Sequence, residues 1–228
     1  MSQVQDILLV HGAWHGSWVW ERVTPLLTAE GKRVHVVDLP SVHAGLQPPG
    51  DLRDDAEVVR AAIHRIDAPV AVVAHSYGGA PCSEAAAGLD SVHRLVYLAA
   101  FVLDTGESLQ AAVGGKPPDW WNVNAHEGTV TPARPQEIFY NDCTRDDTAW
   151  AVYQLAPHTL RAFQQTQLTA AWHDIPSSYI VCDADNAIPP EAQRVMARRT
   201  GDVLEMHASH SPFLSQPLET AAALLQLI

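Results

Sequence analysis

The sequence predicts an α/β protein: a mostly parallel sheet of about six strands flanked by helices and interrupted once by a helical insertion. Three observations predict it. Strand-sized apolar runs without polar alternation, such as residues 7–10 (ILLV) and 70–74 (VAVVA), are typical of strands buried on both faces. Helix-length segments separate these runs, so successive strands run parallel through crossovers. The alternation stops near residue 104 and resumes after residue 174.

The elements follow in order. After the strand at 7–10, residues 18–30 carry Val19, Val23, Leu26 and Leu27 at helical spacing and stop at Gly31, a natural helix end. The next strand is 34–37. Asp38-Leu39-Pro40 ends it, because proline offers no N–H to a ladder. A loop rich in Pro and Gly runs to Gly50. A helix over 51–66 then places Val58, Val59, Ala62 and Ile66 on one face, and its acidic cluster at 51–55 reads as a solvated helix start. Strand 70–74, helix 83–89 and strand 95–98 complete the first half. The insertion 104–174 shows two helix-like stretches, 135–141 and 146–166, and no obvious strand. It carries four of the seven tryptophans, Trp120, Trp121, Trp150 and Trp172. Beyond it come strand 179–182, helix 190–200, strand 203–206 and helix 218–227. Residues 1–103 and 175–228 are thus expected to form the core, with 104–174 a helical lid.

Composition narrows the function. Over 228 residues, Lys plus Arg is 14 and Asp plus Glu is 26, a formal charge of −12. Such a chain lacks the basic footprint of a nucleic-acid binder and is repelled by anionic membranes. With 47% hydrophobic and 18% charged residues it can fill a core. Its apolar runs fall far short of the roughly 18 residues that span a bilayer. The first residues show neither the basic region nor the apolar stretch of a secretory signal. Cys82, Cys143 and Cys182 form no CxxC pair, so no disulfide framework is indicated. A cytoplasmic protein acting on a small molecule is expected, as monomer or homodimer. No nucleotide cofactor is expected, since neither a GxGxxG nor a Walker loop occurs. His11 with His15 and His207 with His210 are spaced for a metal, but neither pair lies in HExxH, so no metal is expected.

Three short segments carry chemistry. Residues 74–79 (AHSYGG) join a buried strand to a helix, the context of a nucleophile elbow with Ser76 at its apex. Small residues are needed two positions before and after the serine, and Ala74 and Gly78 meet that need. An N-cap serine would look similar. A serine hydroxyl also needs a base and an orienting acid. His210 lies between the last strand and last helix, and Asp183 and Asp185 follow the strand ending at Cys182. Residues 11–16 (HGAWHG) follow the first strand; Gly12 and Gly16 allow a tight turn that points the Ala13 N–H at the site, with the Tyr77 N–H as second oxyanion donor.

HGAWHG, AHSYGG and residues 210–213 (HSPF) together resemble the α/β-hydrolase superfamily. They are most similar to its small cofactor-free branch of methylesterases, salicylate-ester hydrolases and hydroxynitrile lyases. The resemblance spans nearly the whole chain. It implies Ser76 as nucleophile, His210 as base, Asp185 as acid, and Ala13 and Tyr77 as oxyanion donors. Asp185 is preferred to Asp183 because the family's acid follows a strand-end position by three residues, as Asp185 follows Cys182. Ala74 stands where the family usually has glycine. Lyases of this branch carry threonine and lysine at the positions of Gly12 and Ser211, so the resemblance favours ester hydrolysis over cyanide chemistry. Halide displacement would need an aspartate in place of Ser76. Gly12, Trp14, Trp120 and Trp121 are the candidate substrate contacts, for a small aromatic or hydrophobic ester or lactone. The lid aromatics could equally form a core of their own. A lyase or cofactor-free cyclising enzyme, and a small-ligand binding protein on the same scaffold, are the alternatives.

Overall fold

The computed structural model describes residues 4–42 and 49–228. The chain first lays down β1 (Asp6–Val10), α1 (Thr24–Ala29), β2 (Arg33–Val37), α2 (Leu52–Ile66), β3 (Val70–His75), α3 (Gly79–Ala86) and β4 (Val92–Leu98). There follow α4 (Leu109–Ala112), β5 (Trp121–Asn124), β6 (Thr129–Pro132), α5 (Pro135–Phe139), α6 (Arg145–Gln154), β7 (His158–Thr159) and α7 (Leu160–Gln164). The last elements are β8 (Ser177–Cys182), α8 (Pro190–Ala197), β9 (Asp202–Met206), α9 (Pro212–Ser215) and α10 (Pro217–Leu227). Among the described residues, six strands form one sheet in the order β2-β1-β3-β4-β8-β9, every neighbouring pair parallel.

The apolar runs explain the layering. All residues of β1 and β3 are buried, because helices cover both sheet faces. The chain passes from β1 outward to β2, then crosses back so that β3 pairs with the other side of β1. The carboxyl ends of β1 and β3 therefore meet where the winding direction reverses, the place where such sheets hold ligands. On α2, Asp51 accepts from the N–H groups of Arg53 and Asp54, and Asp54 returns a carboxylate to the Asp51 N–H, a complete capping box.

Several expectations need revision. The helix expected at 18–30 is a 3-10 turn (Ser17–Trp20) followed by α1, which starts at Pro25's turn because proline suits a first helical turn. The helix expected at 146–166 is divided: α6 ends before Pro157, and α7 begins only at Leu160. The insertion is also not helices alone. β5, β6 and β7 form a three-stranded antiparallel sheet whose β6–β7 pairing joins Val130 to His158, a contact no local pattern announces. The acidic cluster is not wholly solvated either, since Asp55 is completely buried. Of the loop expected before Gly50, residues 43–48 lie outside the described residues. Among the described residues no helix is long and apolar enough to cross a membrane.

Leu9 sits in the middle of β1 with none of its surface exposed. Leu9→Ala should cost about 2–5 kcal/mol in urea unfolding, the range for emptying a packed core site. Val36→Thr, at a position 45% exposed on the neighbouring strand, should change the midpoint little.

Candidate active site

β3 ends at His75 and turns at once through a 3-10 turn (Ser76–Gly78) into α3. Ser76 has φ +53°, a left-handed conformation that costs a non-glycine residue about 1–2 kcal/mol. The turn closes only because its neighbours lack side chains. A Cβ on Gly12 would fall 2.7 Å from Ser76 Cβ, and one on Gly78 would fall 2.5 Å from the His11 carbonyl oxygen. Gly12 thus stands behind Ser76 and packs against it; it is not on the cavity wall, where it was expected to touch substrate.

Ser76, His210 and Asp185 come together from the ends of β3, β9 and β8. Ser76 Oγ is 3.0 Å from His210 Nε2, and His210 Nδ1 is 2.7 Å from Asp185 Oδ2. A carboxylate can only accept, so Nδ1 carries the proton and Nε2 is left to accept from the serine hydroxyl. All three residues are buried, Ser76 at 7%, His210 at 2% and Asp185 at 4% exposure. Asp185 also receives the N–H groups of Ala187 and Ile188 and the amide of Gln193, which fix its orientation. Asp183 instead pairs with the exposed His207 at 2.7 Å.

Further residues position the three. His75 donates Nε2–H to the His210 carbonyl at 2.9 Å, tying the elbow to the histidine loop. Asp142 and Phe139 of the insertion accept from Ser209 on the same loop. His15 donates to the Ala13 carbonyl at 2.6 Å and accepts from Tyr140 OH at 2.8 Å, linking the turn after β1 to the insertion. His11 donates to the Gly12 carbonyl and accepts from the Leu39 N–H. The ring nitrogens of His11 and His15 are thus engaged in holding a turn. Tyr77, directly after the serine, donates its hydroxyl to Asp55 at 2.6 Å, and Ser41 donates to the same carboxylate.

Asp55 and Gln193 were not foreseen, and Tyr140 was expected only as a lid aromatic, not as a hydrogen-bond partner of His15. For Asp55 a signal existed, since it lies four and seven residues before the buried Val59 and Ala62 on α2 and so shares their face. Nothing local marks Gln193 or Tyr140.

Ala13, Tyr77, Ser76 and His210 all border one cavity of about 20 Å³. Trp14, Trp120 and Trp121 line it too, but they fill more than they frame. Trp14, itself at φ +63°, stacks on Phe139 at 5.6 Å and meets Trp120, Trp121 and Phe163 edge-on. The tryptophans therefore divide between roles: Trp150 packs outside against Trp18, and Trp172 stacks on His173. Among the described residues, no lysine or arginine borders the cavity beside Ser76. A carbonyl carbon brought up to Ser76 Oγ would have the His210 imidazole within reach of the hydroxyl proton.

Burial gives these groups opposing pH signatures. Burial pushes His15 down to about 3, so below about pH 6.5 the unfolded chain takes up a proton that the folded chain refuses. Stability is lost over that window as pH falls. Burial pushes Asp55 up to about 6, against the pull of its Ser41 and Tyr77 hydrogen bonds. Its folded form binds the proton first, so its contribution is lost as pH rises from about 4 to 6. In urea unfolding across this range, His15→Gln should flatten the acid-side loss of stability, whereas Asp55→Asn should steepen it.

The same architecture recurs in known proteins. Residues 7–223 match the alpha/beta hydrolase family. A probable hydrolase from Phoma sp. is 30% identical over 92% of this chain and 93% of its own. Salicylic acid-binding protein 2 of Nicotiana tabacum is 26% identical over 100% of this chain and 98% of its own. The crystal structure of a pyrethroid hydrolase from Sphingobium faniae superposes with a TM-score of 0.86 at 26% identity, covering 98% and 97% of the two chains. The six-stranded parallel sheet, the elbow after β3 and the match over nearly the full length together place this chain in the α/β-hydrolase family.

Proposed function

We propose that the protein is a serine hydrolase that cleaves a carboxylic ester of a small hydrophobic or aromatic molecule. The observation that carries the reading is the continuous line from Asp185 through His210 to Ser76, with distances of 2.7 and 3.0 Å, buried beside an apolar cavity. His210 Nε2 takes the Ser76 proton as Oγ attacks the ester carbonyl. The oxyanion lies against the N–H groups of Ala13 and Tyr77, and Asp185 stabilises the imidazolium that forms. His210 then gives its proton to the departing alkoxide. Water repeats the sequence on the acyl-enzyme, releasing the acid and restoring Ser76.

Supporting features point the same way. Methylesterase 1 of Arabidopsis thaliana, which is named for ester cleavage, and the pyrethroid hydrolase, which is named for hydrolysis, both match this chain over nearly their full lengths. Gly12 has no hydroxyl to hold that of a cyanohydrin, and Ser211 carries no cation for a leaving cyanide. The left-handed backbone at Ser76 has no structural need of a serine, and Gly or Asn would suit it better.

The test is intact mass after treatment with a fluorophosphonate, alongside hydrolysis of p-nitrophenyl acetate. One adduct mapping to Ser76 is expected, absent in Ser76→Ala, with turnover reduced by about 10⁴-fold or more. Asp185→Asn should also lose most turnover, while Asp183→Asn should retain it. An unlabelled wild type without ester turnover would overturn the reading and bring the binding-protein alternative forward.

A further inference from the structure

A second, larger cavity of about 780 Å³ adjoins the first. The two share Phe101, Val113, Trp120, Ala187 and Ile188 as a common wall. Their sizes differ sharply by the same measure. Beside Ser76, about 20 Å³ admits one water-sized or methyl-sized group, whereas the outer chamber holds a ring system.

The sheet order gives the chamber a direction. The oxyanion turn follows β1, on one side of β3 and Ser76. Phe101 follows β4, and Ala187 and Ile188 follow β8, on the other side. Ala187 and Ile188 are the residues whose N–H groups hold Asp185, so the shared wall lies on the side of the base. In a tetrahedral intermediate the oxyanion faces the β1 turn and the departing oxygen faces His210, from which it takes its proton. The alcohol half of the ester is thereby directed toward the outer chamber, and the acyl half is left with the small, aromatic-packed space.

The chamber's chemistry is neutral and apolar. α8 contributes Ala192, Val195 and Met196, and α4 contributes Ala111 and Ala112. Its cation, Arg199, is committed to Glu107 and the Val102 carbonyl and lies over the Trp172 ring. An anionic ligand would have to break those bonds in a chain that already carries −12.

Resting on the serine-hydrolase reading, we propose that the substrates are short-acyl esters, acetates above all, of bulky neutral apolar alcohols, with the alcohol seated between α4 and α8. Ser76 Oγ bonds to the acetyl carbon, the carbon–alkoxide bond breaks, and the alkoxide leaves as the alcohol with the proton from His210. Water then releases acetate. The tryptophan-packed space beside Ser76 thus excludes a large acyl group, while Trp120, on the shared wall, meets the alcohol.

A pair of isomeric esters tests the orientation: 1-naphthylmethyl acetate and methyl 1-naphthylacetate have the same atoms with the ester reversed. The acetate should have a kcat/KM at least about tenfold higher. Ala192→Trp, at an exposed position on α8, should lower that preference about tenfold, and Ala112→Trp on the opposite wall provides an independent variant should the first fold poorly. Equal rates, faster cleavage of the methyl ester, or a preference untouched by both variants would overturn the proposal while leaving the hydrolase standing. Labelling of Ser76 without turnover of either isomer would likewise overturn the substrate class alone. No labelling and no turnover would remove the serine-hydrolase reading itself.

Discussion

Much of this molecule is arranged around one unfavourable backbone conformation. Ser76 sits at φ +53°, and a turn that sharp between a buried strand and a helix leaves no space for side chains on the adjoining backbone. Gly12 and Gly78 provide that space from the β1 turn and from the elbow itself. The strain is tolerable because β3 is locked between β1 and β4 and α3 is packed on the sheet, so the ends of the turn cannot relax. In return the hydroxyl is lifted clear of both elements, beside the N-terminus of α3, where developing negative charge is favoured.

Around this point the protein uses buried imidazoles as fixed hydrogen-bonding parts. His11 and His15 hold the turn after β1, and His75 holds the loop of His210. Burial lowers the pKa of all three, which keeps them neutral with one donor and one acceptor nitrogen each. Charge would add repulsion beside His210, and that repulsion already contributes to the shifts of His15 and His75. The constellation is therefore bound to the fold at several places, with the insertion supplying Tyr140, Asp142 and Phe139 as braces. A change in how the insertion packs would be felt at both the turn after β1 and the loop of His210.

The six-stranded sheet, the outline of the helices that cover it and the residue types at its carboxyl edge were legible in the amino-acid sequence. Those features are local: uninterrupted apolar runs of strand length, and Gly-containing turns directly after them, encode strands and loops without reference to distant residues. Ser76 and His210 were legible because each follows its own strand, and a parallel sheet brings strand ends to one edge; strand position offered Asp183 and Asp185 alike, and only the family resemblance preferred Asp185. Pro157 was an equally local signal, and the break between α6 and α7 is where it lies. Features that depend on pairing across the chain became visible in the folded molecule alone. β7 has two residues and exists because Val130 is opposite His158; Asp55 is buried because Tyr77 and Ser41 meet it. Gln193 gains meaning only from its contact with Asp185. The division of space between a small cavity beside Ser76 and a larger one between α4 and α8 is of the same kind, since cavity volume is a property of how side chains from many elements pack, and no single segment carries it.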